Sequence, residues 1–332
     1  MMRFLLTDEQ REFARALDGM LGAAGVPAAA RAWASGEHKP GRALWARLAQ
    51  AGVFGLAVPE RYAGAGRLPV ELAVAFVELG RHAVPGPVVE TVASAAFLTR
   101  LGDAGAAGAA AAGEWLPRIA AGDTVLSLAA GAPYALDADA ADAVLVVEGD
   151  TVRRTDAHGP VQPSLDPVRR LSRPLGGTVL ARDPAVSAAA AHARDLARLA
   201  TAAQSLGLGR ALLAATVAHV KQRTQFAVPL GSFQAVKHRL ADALIGLELA
   251  EPLVYAAALA VAAGAPSAGR EVAAAKAAAG EAGYATARTA LQLHGAVGYT
   301  EELDLSLWIR KARPLRDAWG TPAECRTRVL EG

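Results

Sequence analysis

The chain is poor in several things, and each shortage narrows what it does. Cysteine is nearly absent: Cys325 is the single thiol in 332 residues, so no intramolecular disulfide can form, and the first residues lack the basic and apolar stretches of a secretory signal. A cytoplasmic address is expected. Charge of one sign is also lacking, since 34 Lys plus Arg meet 32 Asp plus Glu for a net of +2. That balance falls short of the cationic excess that follows a phosphate backbone, so nucleic acid is not an expected partner. Uninterrupted apolar runs are short. The longest, Leu253 to Ala263, lies between Glu251 and the Gly264/Pro266 break, below the roughly 18 residues of a membrane span, so no membrane partner is expected. The seven histidines show no pair at metal-ligand helical spacing and no neighbouring cysteine, so no metal site is expected. There is no Gly-x-Ser-x-Gly turn, and Cys325 has no histidine near it in sequence, which leaves acyl-enzyme chemistry without support. Gly207-Leu208-Gly209 lacks the third glycine and the preceding strand of a dinucleotide fingerprint; close helix packing explains it better.

What is abundant points to helices. Hydrophobic residues reach 53% and charged residues only 20%, too apolar for a disordered chain. Alanine, which enters helices at least cost, dominates that apolar content. Thr7, with Gln10 three residues on, reads as a capping box opening an amphipathic helix to Leu21. Further helices are expected over Arg42 to Ala51 and Pro69 to Arg81. After Gly122 turns become frequent, and Ala143–Val147, Asp150–Arg153 and Thr178–Ala181 read as short strands, the first two joined by Glu148-Gly149-Asp150. From Ser187 onward the apolar spacing of Leu196, Leu199, Leu206, Leu213 and Val217, then of Val236, Leu240, Leu244 and Leu247, predicts long antiparallel helices. The expected fold is mainly α with a small β-domain: a helical domain over 1–120, a reduced β-domain over 121–186 and a helical bundle over 187–332.

Two stretches carry more than fold. In Arg223-Thr-Gln-Phe-Ala-Val-Pro-Leu-Gly-Ser-Phe-Gln-Ala-Val-Lys-His-Arg-Leu-Ala-Asp242, a helical pattern breaks at Pro229/Gly231 and resumes. In Gln292-Leu-His-Gly-Ala-Val-Gly-Tyr-Thr300 a helix runs into a glycine-containing loop. Helix ends interrupted by glycine free backbone N–H groups, and a nearby arginine offers a fixed fork to phosphate oxygens, an arrangement suited to a pyrophosphate. Each stretch taken singly is equally compatible with an interhelix turn.

Together, in this order, they resemble the acyl-CoA dehydrogenase family. The family pattern Arg-x-Gln-Phe-Gly-x-Pro-Ile-x-x-Phe-Gln is followed there by Gln-x-x-Gly-Gly-x-Gly-Tyr/Phe. Trp45 to Pro59, Tyr62 to Gly66 and Glu78-Leu-Gly-Arg81 are similar to the family's N-terminal segments, so about three quarters of the chain is covered. The resemblance implies an N-terminal helical domain, a middle β-domain and a C-terminal four-helix bundle. It also implies an FAD enzyme that removes the pro-R α-proton of an acyl-CoA thioester while the β-hydrogen leaves as hydride to the flavin, passing electrons to an electron-transfer flavoprotein or similar acceptor. By position it assigns Arg223 and Gln225 to the pyrophosphate, Phe226 to the adenine end, and Gln234, Gln292, Gly295 and Thr321 to further FAD contacts. In the family these helices serve the flavin of a neighbouring subunit, so an oligomer is implied.

The resemblance also exposes departures. The family's base sits in Tyr-Glu-Gly-Thr near the C-terminus, or in Asp-Leu-Glu-Arg-Leu on the helix before the arginine motif. This chain reads Ala318-Trp319-Gly320-Thr321 and Asp195-Leu196-Ala197-Arg198-Leu199, so Trp319 and Ala197 stand at the two base positions, and Asp317 and Glu302 are the remaining carboxylate candidates. The segments with which relatives wall the flavin ring are not found in the shortened middle region. Short actinobacterial-type members resemble this chain in that reduction and in Ser164 to Leu171. The preferred expectation is the subunit lacking the catalytic Glu in a heteromeric acyl-CoA dehydrogenase, its partner a second acyl-CoA dehydrogenase-like chain. The alternatives are a complete homo-oligomeric enzyme with a relocated base, and a non-redox CoA-ester-binding or assembly protein.

Overall fold

A computed structural model of the chain describes residues 5–225 and 227–331. Eleven helices and eight short strands occur among them, in the order α1 (Asp8–Gly22), α2 (Val26–Ala34), α3 (Lys39–Gln50), α4 (Pro69–Arg81), α5 (Val88–Ala104), α6 (Ala106–Ala121), β1 (Leu126–Ala130), β2 (Ala135–Leu136), β3 (Ala143–Glu148), β4 (Thr151–Thr155), β5 (Leu171–Ser172), β6 (Thr178–Arg182), α7 (Ala185–Gln222), β7 (Thr224–Gln225), β8 (Val228–Pro229), α8 (Gln234–Ala262), α9 (Ala268–His294), α10 (Ser306–Asp317) and α11 (Pro322–Glu331). The mainly helical class with a small β-domain is therefore what the structure shows. The helices begin where their chemistry directs. Gln10 N–H donates to Thr7 Oγ1 at 3.3 Å while Thr7 N–H donates to Gln10 Oε1 at 3.0 Å, the reciprocal capping box, with Asp8 and Glu9 in the first turn facing the positive end of the α1 dipole.

The chain forms two compact units. One contains α2, α3, α5, α6, the strands β1–β6 and the first part of α7. Its main sheet has the order β1-β3-β4-β6; β1 runs parallel to β3, and β4 is antiparallel to both of its neighbours. The β3–β4 turn carries Gly149 at φ 58°, a conformation that glycine adopts without penalty. The buried Thr91 hydroxyl of α5 donates to Leu126 O at 2.7 Å and fixes that helix on β1. The Ser164–Leu171 stretch acts as a fastening. Arg170 donates from Nε to Asp139 Oδ2 at 2.8 Å and from NH1 to Ala34 O at 2.9 Å, tying α2 to the segment after β2. Nearby, Asp137 is fully buried at φ 52°, and burial pushes its carboxyl up to about 7.

The other unit contains α1, the second half of α4, and the chain from Arg198 onward. Here α4 and α7 meet backbone to backbone. A Cβ placed on Gly207 would lie 1.8 Å from Val77 O, and one on Gly80 would lie 2.0 Å from Gln204 O. Close packing, and not a nucleotide loop, is the role of Gly207; Gly209 faces Leu247 in the same way, at 2.5 Å. Gly207→Ala should therefore destabilise by about 1–3 kcal/mol or more, since no flexible side chain is present to yield. A urea titration unchanged from the parent chain would contradict this.

α8 packs on α9, and its Leu247, Ala250 and Val254 are buried. By average apolarity and length α8 is long and apolar enough to cross a bilayer, although its uninterrupted apolar run is shorter. Its packing on α9 makes it a bundle helix. Leu244, Ile245, Leu249 and Leu253 on the same helix are nevertheless 47%, 55%, 68% and 41% exposed.

Candidate functional site

The two motif stretches, distant in sequence, come together at one end of the bundle. Arg223 follows the last turn of α7, and its N–H donates to His219 O at 2.9 Å. The chain then folds into the β7–β8 hairpin, closed by Leu230 N–H donating to Arg223 O at 2.8 Å. Gln292 lies on the last turn of α9, and His294 is its final residue. The rings of His219 and His294 stack with centroids 4.1 Å apart and planes at 27°, which joins the arginine stretch to the glutamine–glycine stretch. Gly295, the next residue, has φ 62° and ends the helix in a conformation that side chains rarely adopt.

Of the residues assigned by position, Arg223, Gln225, Gln234, Gln292 and Gly295 are all exposed; Phe226 lies outside the described residues. The donor set fits a pyrophosphate: an exposed guanidinium with a planar fork, and several amide groups that donate without adding negative charge. Thr321 also caps a helix. Glu324 N–H donates to Thr321 Oγ1 at 3.3 Å and Thr321 N–H to Glu324 Oε2 at 2.7 Å, a capping box that starts α11 and holds the Glu324 carboxyl below its usual range.

The positions where the family keeps its base are apolar and firmly held. Ala197 is fully buried on α7. The next residue, Arg198, donates from Nε to Trp319 O at 2.9 Å. Trp319 sits at φ 60° in the turn between α10 and α11. Lys276 of α9 reaches the same turn, donating from Nζ to Arg316 O at 2.8 Å and to Gly320 O at 3.3 Å. Its side chain is 0% exposed, and burial lowers its ammonium to about 8.

Neither carboxylate candidate stands in an apolar pocket. Asp317 accepts from Arg313 Nε at 2.9 Å and from Arg316 NH1 at 3.0 Å, so both of its oxygens are engaged by arginines. Glu302 is exposed in the turn before α10. Among the described residues one group, Asp18, Glu78 and His82, places ligand-type atoms within 4.8 Å of one another. It is already charge-compensated: Arg81 Nε donates to Glu78 Oε2 at 2.7 Å, and His82 Nε2 shares a 2.7 Å hydrogen bond with Asp18.

Comparison with known proteins agrees with this geometry. Residues 7–123 match the model of the acyl-CoA dehydrogenase N-terminal domain, and residues 187–331 that of the acyl-CoA dehydrogenase C-terminal domain. The chain is 32% identical over 308 residues to the acyl-CoA dehydrogenase IpdE2 of Mycobacterium tuberculosis, covering 91% of this chain and 90% of that protein. Its fold superposes on a chain of the ChsE4-ChsE5 complex from Mycobacterium tuberculosis with a TM-score of 0.85 and 25% identity, covering 99% and 98% of the two chains. It also superposes on a glutaryl-CoA dehydrogenase from Mycobacterium smegmatis, solved in complex with FADH2, with a TM-score of 0.81 and 18% identity, covering 98% and 94%. The matched terminal domains, and a relative above 30% identity aligned along most of its length, place this chain in the acyl-CoA dehydrogenase family, whose cofactor is FAD.

Proposed function

We propose that the chain is the subunit that lacks the catalytic base in a heteromeric, FAD-dependent acyl-CoA dehydrogenase. One observation carries this reading: both family base positions hold apolar residues, Ala197 and Trp319, while Arg223, Gln225, Gln234 and Gln292 remain exposed. A thioester α-proton leaves readily only toward a base whose pKa is raised by desolvation, and both oxygens of Asp317 are already engaged by Arg313 and Arg316. The proton therefore goes to the partner subunit. Hydride acceptance is the chemistry FAD supplies when bound, and this chain's part is to grip the flavin's phosphates from across the interface. An acyl-CoA thioester, fatty or steroid side-chain, is the substrate of the assembled pair, with an electron-transfer flavoprotein or similar protein as acceptor and the cytoplasm as its location.

The exposed apolar stripe of α8 supports an assembled state, because contiguous apolar residues on a surface are commonly covered in the working molecule. Leu249→Asp should leave the folded chain within about 0.5 kcal/mol of its parent and yet prevent assembly. Light scattering that shows an unaltered complex would remove the stripe from the interface.

The test of the function is purification alone and after coexpression with a longer acyl-CoA dehydrogenase carrying an intact Glu. The chain alone should hold little flavin. The complex should be yellow, with fewer flavins than subunits, and acyl-CoA thioesters should bleach it anaerobically. Stoichiometric FAD and bleaching in the chain alone would overturn the proposal.

A further inference from the structure

The His219–His294 stack joins the two stretches that carry the proposed phosphate contacts, and its setting is unusual for two imidazoles. His294 is 8% exposed, and its Nδ1 lies 2.8 Å from Ala290 O. A ring nitrogen facing a carbonyl must carry the proton, so Nδ1 of His294 donates to Ala290 and the ring is fixed in place. His219 sits one helical turn before Arg223, on the same side of α7. Both rings occupy the C-terminal turns of their helices, where the peptide dipoles favour a cation.

Burial holds the pKa of His219 below the ordinary imidazole value, and His294 of α9 and Arg223, just beyond the end of α7, act in the same direction. The β7–β8 hairpin and the 295–299 turn contribute no charged side chain; Tyr299 is 73% exposed. The neighbours that act on His219 are thus a stacked imidazole and a guanidinium. A phosphate group seated on Arg223 would add negative charge beside them.

We propose that His219, stacked on His294, takes up a proton when the phosphates of FAD bind beside Arg223, so that flavin affinity rises as pH falls through the imidazole range. This rests on the reading that Arg223 holds the pyrophosphate. Free His219 stays neutral near pH 7 because burial and the neighbouring Arg223 disfavour a cation there. The bound dianion reverses that preference, and linkage requires that whatever makes protonation easier in the complex makes binding tighter at lower pH. One linked proton permits at most a tenfold change in Kd per pH unit.

The experiment is calorimetric titration of the flavin-depleted complex with FAD between pH 6 and pH 8, repeated in two buffers of different ionisation enthalpy, which reads proton uptake directly. The parent complex should take up about half a proton on average across the range, with Kd weakening about tenfold from pH 6 to pH 8. His219→Phe keeps a ring to stack on His294 but removes the titrating imidazole; proton uptake should fall sharply in it, with circular dichroism checking that the helices remain. Arg223→Ala separates the two ideas. If it leaves Kd unchanged at every pH, the phosphate site lies elsewhere and the underlying reading fails. If it weakens binding while the parent shows no proton uptake, or while His219→Phe takes up as much as the parent, the proton linkage alone is overturned.

Discussion

Arg223→Ala in the coexpressed complex should cost most of the bound flavin while leaving the helical content intact. The exposed guanidinium contributes nothing to the core, so the fold should not register its loss. A charge-assisted pair to phosphate is worth roughly 1.5–3 kcal/mol, which corresponds to about 10- to 150-fold in Kd. Arg223→Lys should recover only part of that, because an ammonium is a point charge without the planar fork that matches two phosphate oxygens. Absorbance of the flavin per complex, after gel filtration, is the measurement. A complex that keeps its full flavin complement in the alanine variant would move the phosphate contact to another residue.

The second large effect concerns stability at alkaline pH. Lys276 is buried with its ammonium near pKa 8, against an ordinary value of 10.5. Between those two values the unfolded chain binds a proton that the folded chain does not, so this residue makes the fold more stable as pH rises from about 8 to 10.5, by about 1.4 kcal/mol per unit of pKa difference and about 3 kcal/mol in all. Below pH 8 its burial penalty is constant. Lys276→Met removes the titration while keeping the stem's volume, and effects of groups that do not interact with Lys276 cancel when the two proteins are compared; Cys325, whose buried thiol interacts with Lys276, changes with it. The parent should therefore gain on the variant by up to about 3 kcal/mol between pH 7.5 and 10.5 in urea midpoints. Parallel pH profiles for the two proteins would show that Lys276 does not titrate in this range.

Much of the fold could be read from local signals. Thr7 and Gln10 announce α1, Pro69 and Arg81 bound α4, and Gly149 marks the β3–β4 turn, because a cap or a positive φ is a property of a few adjacent residues. Two of the elements that the sequence leaves unassigned, α5 and β1, share one physical cause. α5 is buried from Val88 through Thr99, so it has no polar face and no helical period to detect. β1 is buried at all five positions and lacks the alternation of a half-exposed strand. α6 is an alanine–glycine segment with Pro117 inside it. At the site, Arg223 and Gln292 are legible because their motifs are local. The His219–His294 stack that joins them is a tertiary contact between residues whose neighbours in sequence give no hint of it. Thr321 shows the converse: the same residue type in the expected place serves a capping box, recognisable from Thr321-x-x-Glu324 alone.

Main-chain oxygens of Arg316, Trp319 and Gly320, in the turn that carries Trp319, each receive a hydrogen bond from Lys276 or Arg198. Those bonds reach the backbone and can form whichever side chain position 319 presents. A change of residue there therefore leaves them available. Trp319→Glu should accordingly keep the turn and the stability of the chain. It should still give no dehydrogenase by itself, because a carboxylate accelerates proton removal only when the substrate carbon is already held within reach. Catalytic power in such an assembly is inherited by whichever subunit completes the pocket, and the other is free to specialise in grip.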